Sequence, residues 1–441
     1  MGRRPLDVEK IILELIMSDD IEVKKKLAKK IKDIAYKKGI YSSSIHEFYM
    51  ARGRGEFNGC TVPAINLRSM TYDLAKAIFR VAIKNNSAAF IFEIAKSEMG
   101  YTAQVPIEYT SCILAAAVKE GYSGPVFVQG DHFQANAKKY SENPDKEIKG
   151  LEALISDSID AGFYNIDIDS STLVDLSKPS IKKQQYLNYE VCAKLTQFIR
   201  QIQPCGIEVS VGGEIGEVGS KNSTAEDLRA FMEGFKERLR KGRTGISKIS
   251  VQTGTSHGGV VLPDGSIAKV SIDFDTLKVL SEVARKEYAM AGAVQHGAST
   301  LPAEAFHKFA ECETAEVHLA TQFQNMIFES PHFPKELKDK IYAWINTNLV
   351  SERKEGQTEE QFIYTTRKKA LGPFKKEIMG LSSAVRDAIA KEIEEKFEFL
   401  FKQLNSVNNK ELIDKYVTLK RVIVRKREER GPVVHDGEGD D

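Results

Sequence analysis

Between residues 60 and 320 the chain alternates short apolar runs with longer stretches of helical period. The runs are VPAIN (62–66), AAFIFEIA (88–95), PVFVQG (125–130), FYNIDID (163–169), IEVSVGG (207–213), KISVQTG (248–254), AGAVQHG (291–297) and AEVHLA (315–320). Segments such as TYDLAKAIFRVAIKN, EIKGLEALISDSIDAG and DFDTLKVLSEVARKEY lie between them. Each run is nearly continuous in apolar residues, as parallel strands are when helices cover one face and barrel-interior side chains the other. Eight such units over about 260 residues predict a TIM (β/α)8 barrel. A doubly wound open sheet is the alternative, but no GxGxxG follows the first run.

Residues 1–55 carry charged helical patterning and predict an N-terminal helical segment ahead of a barrel over 56–330. Residues 331–425 read as a C-terminal helical extension, and 426–441, which turn from basic to acidic and end without apolar residues, as a disordered tail.

Composition narrows the class. With 441 residues, 42% hydrophobic and 28% charged, the chain reads as a soluble globular protein. Its net charge of +1 supplies no global attraction to nucleic acid or to an anionic membrane. The lysine run near residues 23–38 reads as a solvated helix face. No stretch has the length of a membrane span, and MGRRPLDVEK lacks the apolar core of a signal peptide. Five cysteines without a CxxC pair read as reduced thiols. A cytoplasmic protein is the expectation.

The polar clusters sit where a barrel places its active site, at the C-terminal ends of the strands. Three of only eight histidines, His132, His257 and His296, stand at the ends of the third, sixth and seventh of these strand-like runs. Imidazole is the commonest ligand for zinc-like ions, and three of them leave a coordination position open. Any one of them alone would read as a hydrogen-bonded structural residue; three at equivalent positions point to a catalytic metal site. Glu214 reads either as a loop carboxylate or as a further ligand, and Asp169 either as a helix cap or as a residue orienting the metal site. The glycine-rich GTSHGG and HGAST loops leave backbone N–H groups able to approach a phosphate, although tight turns alone would also explain them.

At these residues the chain resembles the class II, metal-dependent fructose-bisphosphate and tagatose-bisphosphate aldolases. The matching motifs are VPAINLR, GDH (130–132), IDSS (168–171), GEIG (213–216), GTSHG (254–258), HGAST before Leu301-Pro302, HLAT (318–321) and TTRKKALGP (365–373). The resemblance implies that His132, His257 and His296 hold a divalent metal, usually zinc, with Glu214 as the additional ligand. It makes Asp131 the group that transfers a proton at the C4 oxygen. Gly258, Gly297, Ser299 and the backbone of Ala320 and Thr321 would hold one substrate phosphate, and Arg367 the other. Asn66 and Asp169 would support the site from behind, and carbonyls near Gly258 and Gly297 would bind a monovalent cation. The implied reaction is reversible aldol cleavage of a phosphorylated ketose to dihydroxyacetone phosphate and an aldehyde phosphate, through an enediolate stabilised by the metal. The implied setting is glycolytic carbohydrate metabolism in a homo-oligomer, a dimer or tetramer, with no nucleic-acid or membrane partner.

Three departures from the family pattern stand out. The family's acid after GEIG aligns near Asn222, with Glu217, Glu226 and Asp227 as substitutes nearby. His318 stands where the family has an asparagine that contacts the substrate, and Gly259 together with a helical insertion before Arg367 alters two loops. Two function classes follow: an active aldolase, or a metal- and sugar-phosphate-binding homologue serving as a regulatory or partner subunit.

Overall fold

Asp7 and Asp20 each stand immediately before a run of helical period, and each caps the helix that follows. In the computed structural model, which describes residues 7–216, 221–254, 271–298 and 301–422, Asp7 caps the helix Val8–Met17 and Asp20 the helix Ile21–Lys37. Asp20 accepts from the Glu22 N–H at 2.8 Å, satisfying a donor that the first helical turn leaves open. The expected tail at 426–441 lies outside the described residues.

A short strand that the apolar pattern did not announce, β1 (Ile40–Ser43), follows these helices. The eight expected strands are then β2 (Val62–Asn66), β3 (Ile91–Ala95), β4 (Gly124–Gln134), β5 (Asn165–Asp169), β6 (Ser210–Glu214), β7 (Lys248–Val251), β8 (Ala293–Gln295) and β9 (Glu316–Leu319). Each pairs in parallel with the next, and β9 returns to β2 with Val62 opposite Glu316, so the sheet closes into the (β/α)8 barrel. β1 pairs with the early part of β4, where Phe127 faces Ser43 on one edge and Ile91 on the other. Asn165 ties β1 in, its Oδ1 accepting from the Ile45 N–H at 2.9 Å and its amide donating to the Val128 carbonyl at 3.0 Å.

The N-terminal end of the barrel is plugged by apolar side chains. Ile45, Phe48 and Tyr49 meet Val62, Ile91, Phe127 and Ile413 in a cluster of their own. The C-terminal helices share the main core with the barrel rather than forming a separate one. The helix Ser383–Gln403 lies along the helix Thr71–Lys84 with charges in step: Arg386 to Asp73 at 3.0 Å, Lys76 to Asp387 at 2.8 Å, Arg80 to Glu394 at 2.7 Å and Lys84 to Glu398 at 2.8 Å. With one end plugged, the opposite end is where polar chemistry can meet solvent. No helix among the described residues is long and apolar enough to cross a membrane.

Candidate metal centre

Asp131 and His132 occupy a bulge. The register of β4 against β5 shifts between Gly130 and Phe133, so these two residues fall outside the pairing with β5, while Asp131 stays opposite Ala95 of β3. His132 has φ +38°, a left-handed backbone unusual for a residue with a side chain. A bulge re-aims side chains, and here it turns both toward the axis at the mouth. Gly130 makes this possible: a Cβ there would lie 2.4 Å from the Phe133 ring, which tucks under the bulge.

Three imidazoles surround the Asp131 carboxylate. Its Oδ1 lies 3.4 Å from His296 Nε2, 3.8 Å from His132 Nε2 and 3.2 Å from His318 Nδ1. The rings of His132 and His296 stand 4.2 Å apart between centroids, and those of His296 and His318 4.1 Å. Glu214, at the end of β6, brings Oε2 to 3.9 Å from His296 Nδ1, and its other oxygen accepts from the Gly216 N–H at 2.6 Å. His257, Gly258, Gly259 and Ser299 lie outside the described residues, as does Glu217.

Asp169 lies between the short helix that follows β5 and the His132 ring. Its Oδ1 accepts from the Ser171 N–H and hydroxyl at 3.0 and 2.7 Å, opening the short helix Ser171–Leu173. Its Oδ2 accepts from Gln134 at 2.8 Å and lies 3.2 Å from His132 Nδ1. A carboxylate only accepts, so His132 Nδ1 carries a proton toward Asp169, and Nε2 is the nitrogen that faces Asp131 and His296.

Burial and neighbours set the charges. Burial by itself would raise Asp131, but the His132 and His318 imidazoles hold it well below the usual carboxylate range. For Asp169 burial is likewise outweighed by the His132 hydrogen bond, which brings its pKa down to about 2. Burial works against charge on His132, yet Asp131 and Asp169 carry it well above the ordinary imidazole value. His296 goes the other way, held low by burial and by the neighbouring His318 and His132. His296, the inward-facing Nε2 of His132 and an ionised Asp131 form a donor set that fits a divalent cation, which on binding would displace the proton from His132 Nε2.

One layer deeper, the barrel axis is occupied by a charged network that sequence reading did not single out. Lys248 Nζ reaches Asp167 Oδ2 at 2.8 Å, Glu316 Oε1 at 2.6 Å and Gln129 Oε1 at 2.8 Å. Gln129 donates to Glu93 and Glu316, at 3.1 and 2.6 Å, and Tyr49 donates to Glu316 from the apolar plug below. Gly212 leaves the room for this, since a Cβ there would lie 2.3 Å from Asp167. The signal was present in the sequence as charged residues inside otherwise apolar runs (IFEIA, SKISV, AEVHL). Burial pushes Asp167 up to about 6 against the pull of Lys248, while Lys248 and His318 together hold Glu316 low despite its burial. His318 joins the two layers: its Nε2 lies 2.7 Å from Glu316 Oε1 and its Nδ1 3.0 Å from Glu93 Oε2.

The remaining expected residues are distributed around the mouth and beyond it. Gly297 follows His296 at φ +68°, and Ala320 and Thr321 open the helix Thr321–Glu329 directly after β9. Asn66, ending β2, donates to Glu98, which also accepts from the Arg68 side chain and the Ala95 N–H, each at 2.7 Å. Arg367 is buried against the helix Thr321–Glu329. Its guanidinium donates to Asn325 at 2.6 Å and Glu329 at 3.2 Å, and is flanked by Phe328 and Tyr364. Of the acids near Asn222, Asp227 is committed to a capping box with Thr224 and Glu226 is exposed near Arg229, while Asn222 itself donates to Asp273 at 3.0 Å.

The family described as fructose-bisphosphate aldolase class-II matches residues 54–406, and the chain belongs to it. No curated protein sequence gives a significant match. Among solved structures the chain is similar to a probable tagatose 6 phosphate kinase from Sinorhizobium meliloti 1021, at 13% identity over 81% of this chain and 99% of that one, with a TM-score of 0.54. It is also similar to a fructose-bisphosphate aldolase from Campylobacter jejuni, at 17% identity over 84% and 97%, with a TM-score of 0.50. At these identities the likeness bears on the fold.

Proposed function

We propose that the protein is a metal-dependent aldolase that reversibly cleaves the C3–C4 bond of a phosphorylated ketose resembling fructose 1,6-bisphosphate. The products would be dihydroxyacetone phosphate and an aldehyde phosphate. The observation that carries this reading is the convergence of Asp131, His132 and His296 at the barrel mouth, with Asp169 fixing the His132 ring. His132, His296 and Glu214, with His257, would hold the divalent cation, zinc being the expected ion. When bound, it would supply Lewis-acid stabilisation of the negative charge that grows on the ketose C2 oxygen.

The chain's own residues handle the proton and the phosphates. Asp131, kept ionised by the imidazoles around it, takes the proton from the C4 hydroxyl in cleavage and returns it in the aldol direction. The Gly297 backbone and the start of the helix Thr321–Glu329, at Ala320 and Thr321, offer N–H groups to one phosphate together with Gly258 and Ser299. Arg367 would have to leave Asn325 and Glu329 to reach the other phosphate. The same reading makes the protein a cytoplasmic homo-oligomer of carbohydrate metabolism, with a monovalent cation near Gly258 and Gly297.

His318 favours keeping the second class in view. Where the family has an asparagine, this ring has both nitrogens beside carboxylates, an arrangement compatible with a sugar-phosphate-binding subunit without turnover. A cleavage assay on fructose and tagatose bisphosphates, before and after chelation, separates the two. Turnover lost on chelation and restored by zinc supports the aldolase. Turnover surviving full metal removal overturns it, and bound metal without turnover on any ketose phosphate selects the binding subunit.

A further inference from the structure

Glu93, Asp131 and His318 come from three strands, β3, β4 and β9, and place one donor atom each within 4.8 Å of one another. All three are buried, at 0%, 6% and 4% exposure. His318 Nε2 lies 2.7 Å from Glu316 Oε1, a carboxylate that can only accept, which leaves Nδ1 as the ring atom that faces Glu93 and Asp131. Those two contacts, at 3.0 and 3.2 Å, lack hydrogen-bond geometry, and Glu93 Oε1 and Asp131 Oδ1 have no hydrogen-bond partner among the described residues.

This is how ligating histidines are usually held, with one ring nitrogen fixed by a carboxylate and the other on the ion. Donor atoms about 2.0–2.2 Å from a shared cation stand only slightly further apart than these do.

We propose that Glu93, Asp131 and His318 form a second divalent-cation site, inside the barrel and sharing Asp131 with the three-histidine position. One imidazole with two carboxylates suits a first-row ion of the zinc, manganese or iron kind. Glu93 has no part in the aldolase reading, so the site can fail while that reading stands.

The test is a metal count. Full-length protein stripped with chelator and equilibrated with Zn²⁺ is freed of unbound ion and its zinc per chain measured by mass spectrometry. Two ions are expected for the wild type, one for His318→Asn, Glu93→Gln or His257→Ala, and none for His257→Ala combined with His318→Asn. A wild-type count of one overturns the proposal, as does a count that neither His318→Asn nor Glu93→Gln lowers. The opposite result, two ions and no turnover on any ketose phosphate, would sink the aldolase reading and leave the site standing. Should the variants fail to fold, the Mn²⁺-loaded wild type decides by electron paramagnetic resonance. A spin-coupled pair is expected, and an isolated-ion spectrum overturns the site.

Discussion

At the mouth of the barrel the functional side chains stand on backbone that is leaving regular strand. One layer deeper they stand on the strands themselves. Asp131 and His132 sit in the β4 bulge and His296 just beyond β8, whereas Glu93, Gln129, Asp167, Lys248 and Glu316 lie within paired strands. The mouth groups are set by loop geometry and left with donor atoms facing one another. The deeper groups neutralise one another through Lys248. The difference separates roles: substitutions at the mouth should alter chemistry at little cost in stability, and substitutions below should do the reverse.

The largest expected effect is at the mouth. Asp131→Ala should lower carbon–carbon cleavage by about 10²–10⁴-fold, the range for losing a general acid–base. Zinc retained at the histidines, with a melting temperature close to wild type, would keep the contrast; a variant that still cleaves normally would break it. In the deeper layer, Lys248→Met leaves Glu316 and Asp167 buried without their cation. Urea unfolding should show a loss of about 3–5 kcal/mol. A stability change under about 1 kcal/mol would mean that the carboxylates there are neutral or otherwise compensated.

Two smaller effects probe the link between the layers. Asp169→Asn removes the carboxylate behind His132 and should weaken metal affinity by about 10–100-fold, read by competition with a chelating dye. An unchanged affinity would make Asp169 only the cap of the helix Ser171–Leu173. Gly130→Ala pushes a methyl group against the Phe133 ring, and a destabilisation of about 1–3 kcal/mol is expected, with activity falling as the bulge shifts. Full activity together with wild-type stability would show that the bulge tolerates a side chain there.

How much was legible follows from which signals are local. All eight barrel strands were readable because strands buried on both faces must be apolar nearly throughout, and the barrel follows from their number and spacing. β1 was not readable: IYSS is four residues long, half polar, and is held by pairing with β4 and by Asn165. The meeting of His132 and His296 was readable because a barrel gathers its strand ends, while His257 lies outside the described residues. Arg367 shows the limit. Its place in a motif suggested a phosphate ligand, but the packing of the helix Thr321–Glu329 gives its guanidinium to Asn325 and Glu329.

The sequence by itself determined the strand-and-helix alternation, the closure of eight parallel strands and the presence of ligand-type residues at their ends. These depend on hydrophobic periodicity and residue chemistry, which are written along the chain. Only the tertiary structure decided that Glu93, Lys248, Glu316 and His318, which span 226 residues (93 to 318), would meet on one axis. A charged residue in a strand carries no local sign of its partner. Its meaning is settled when the barrel closes and water, the alternative partner, is excluded.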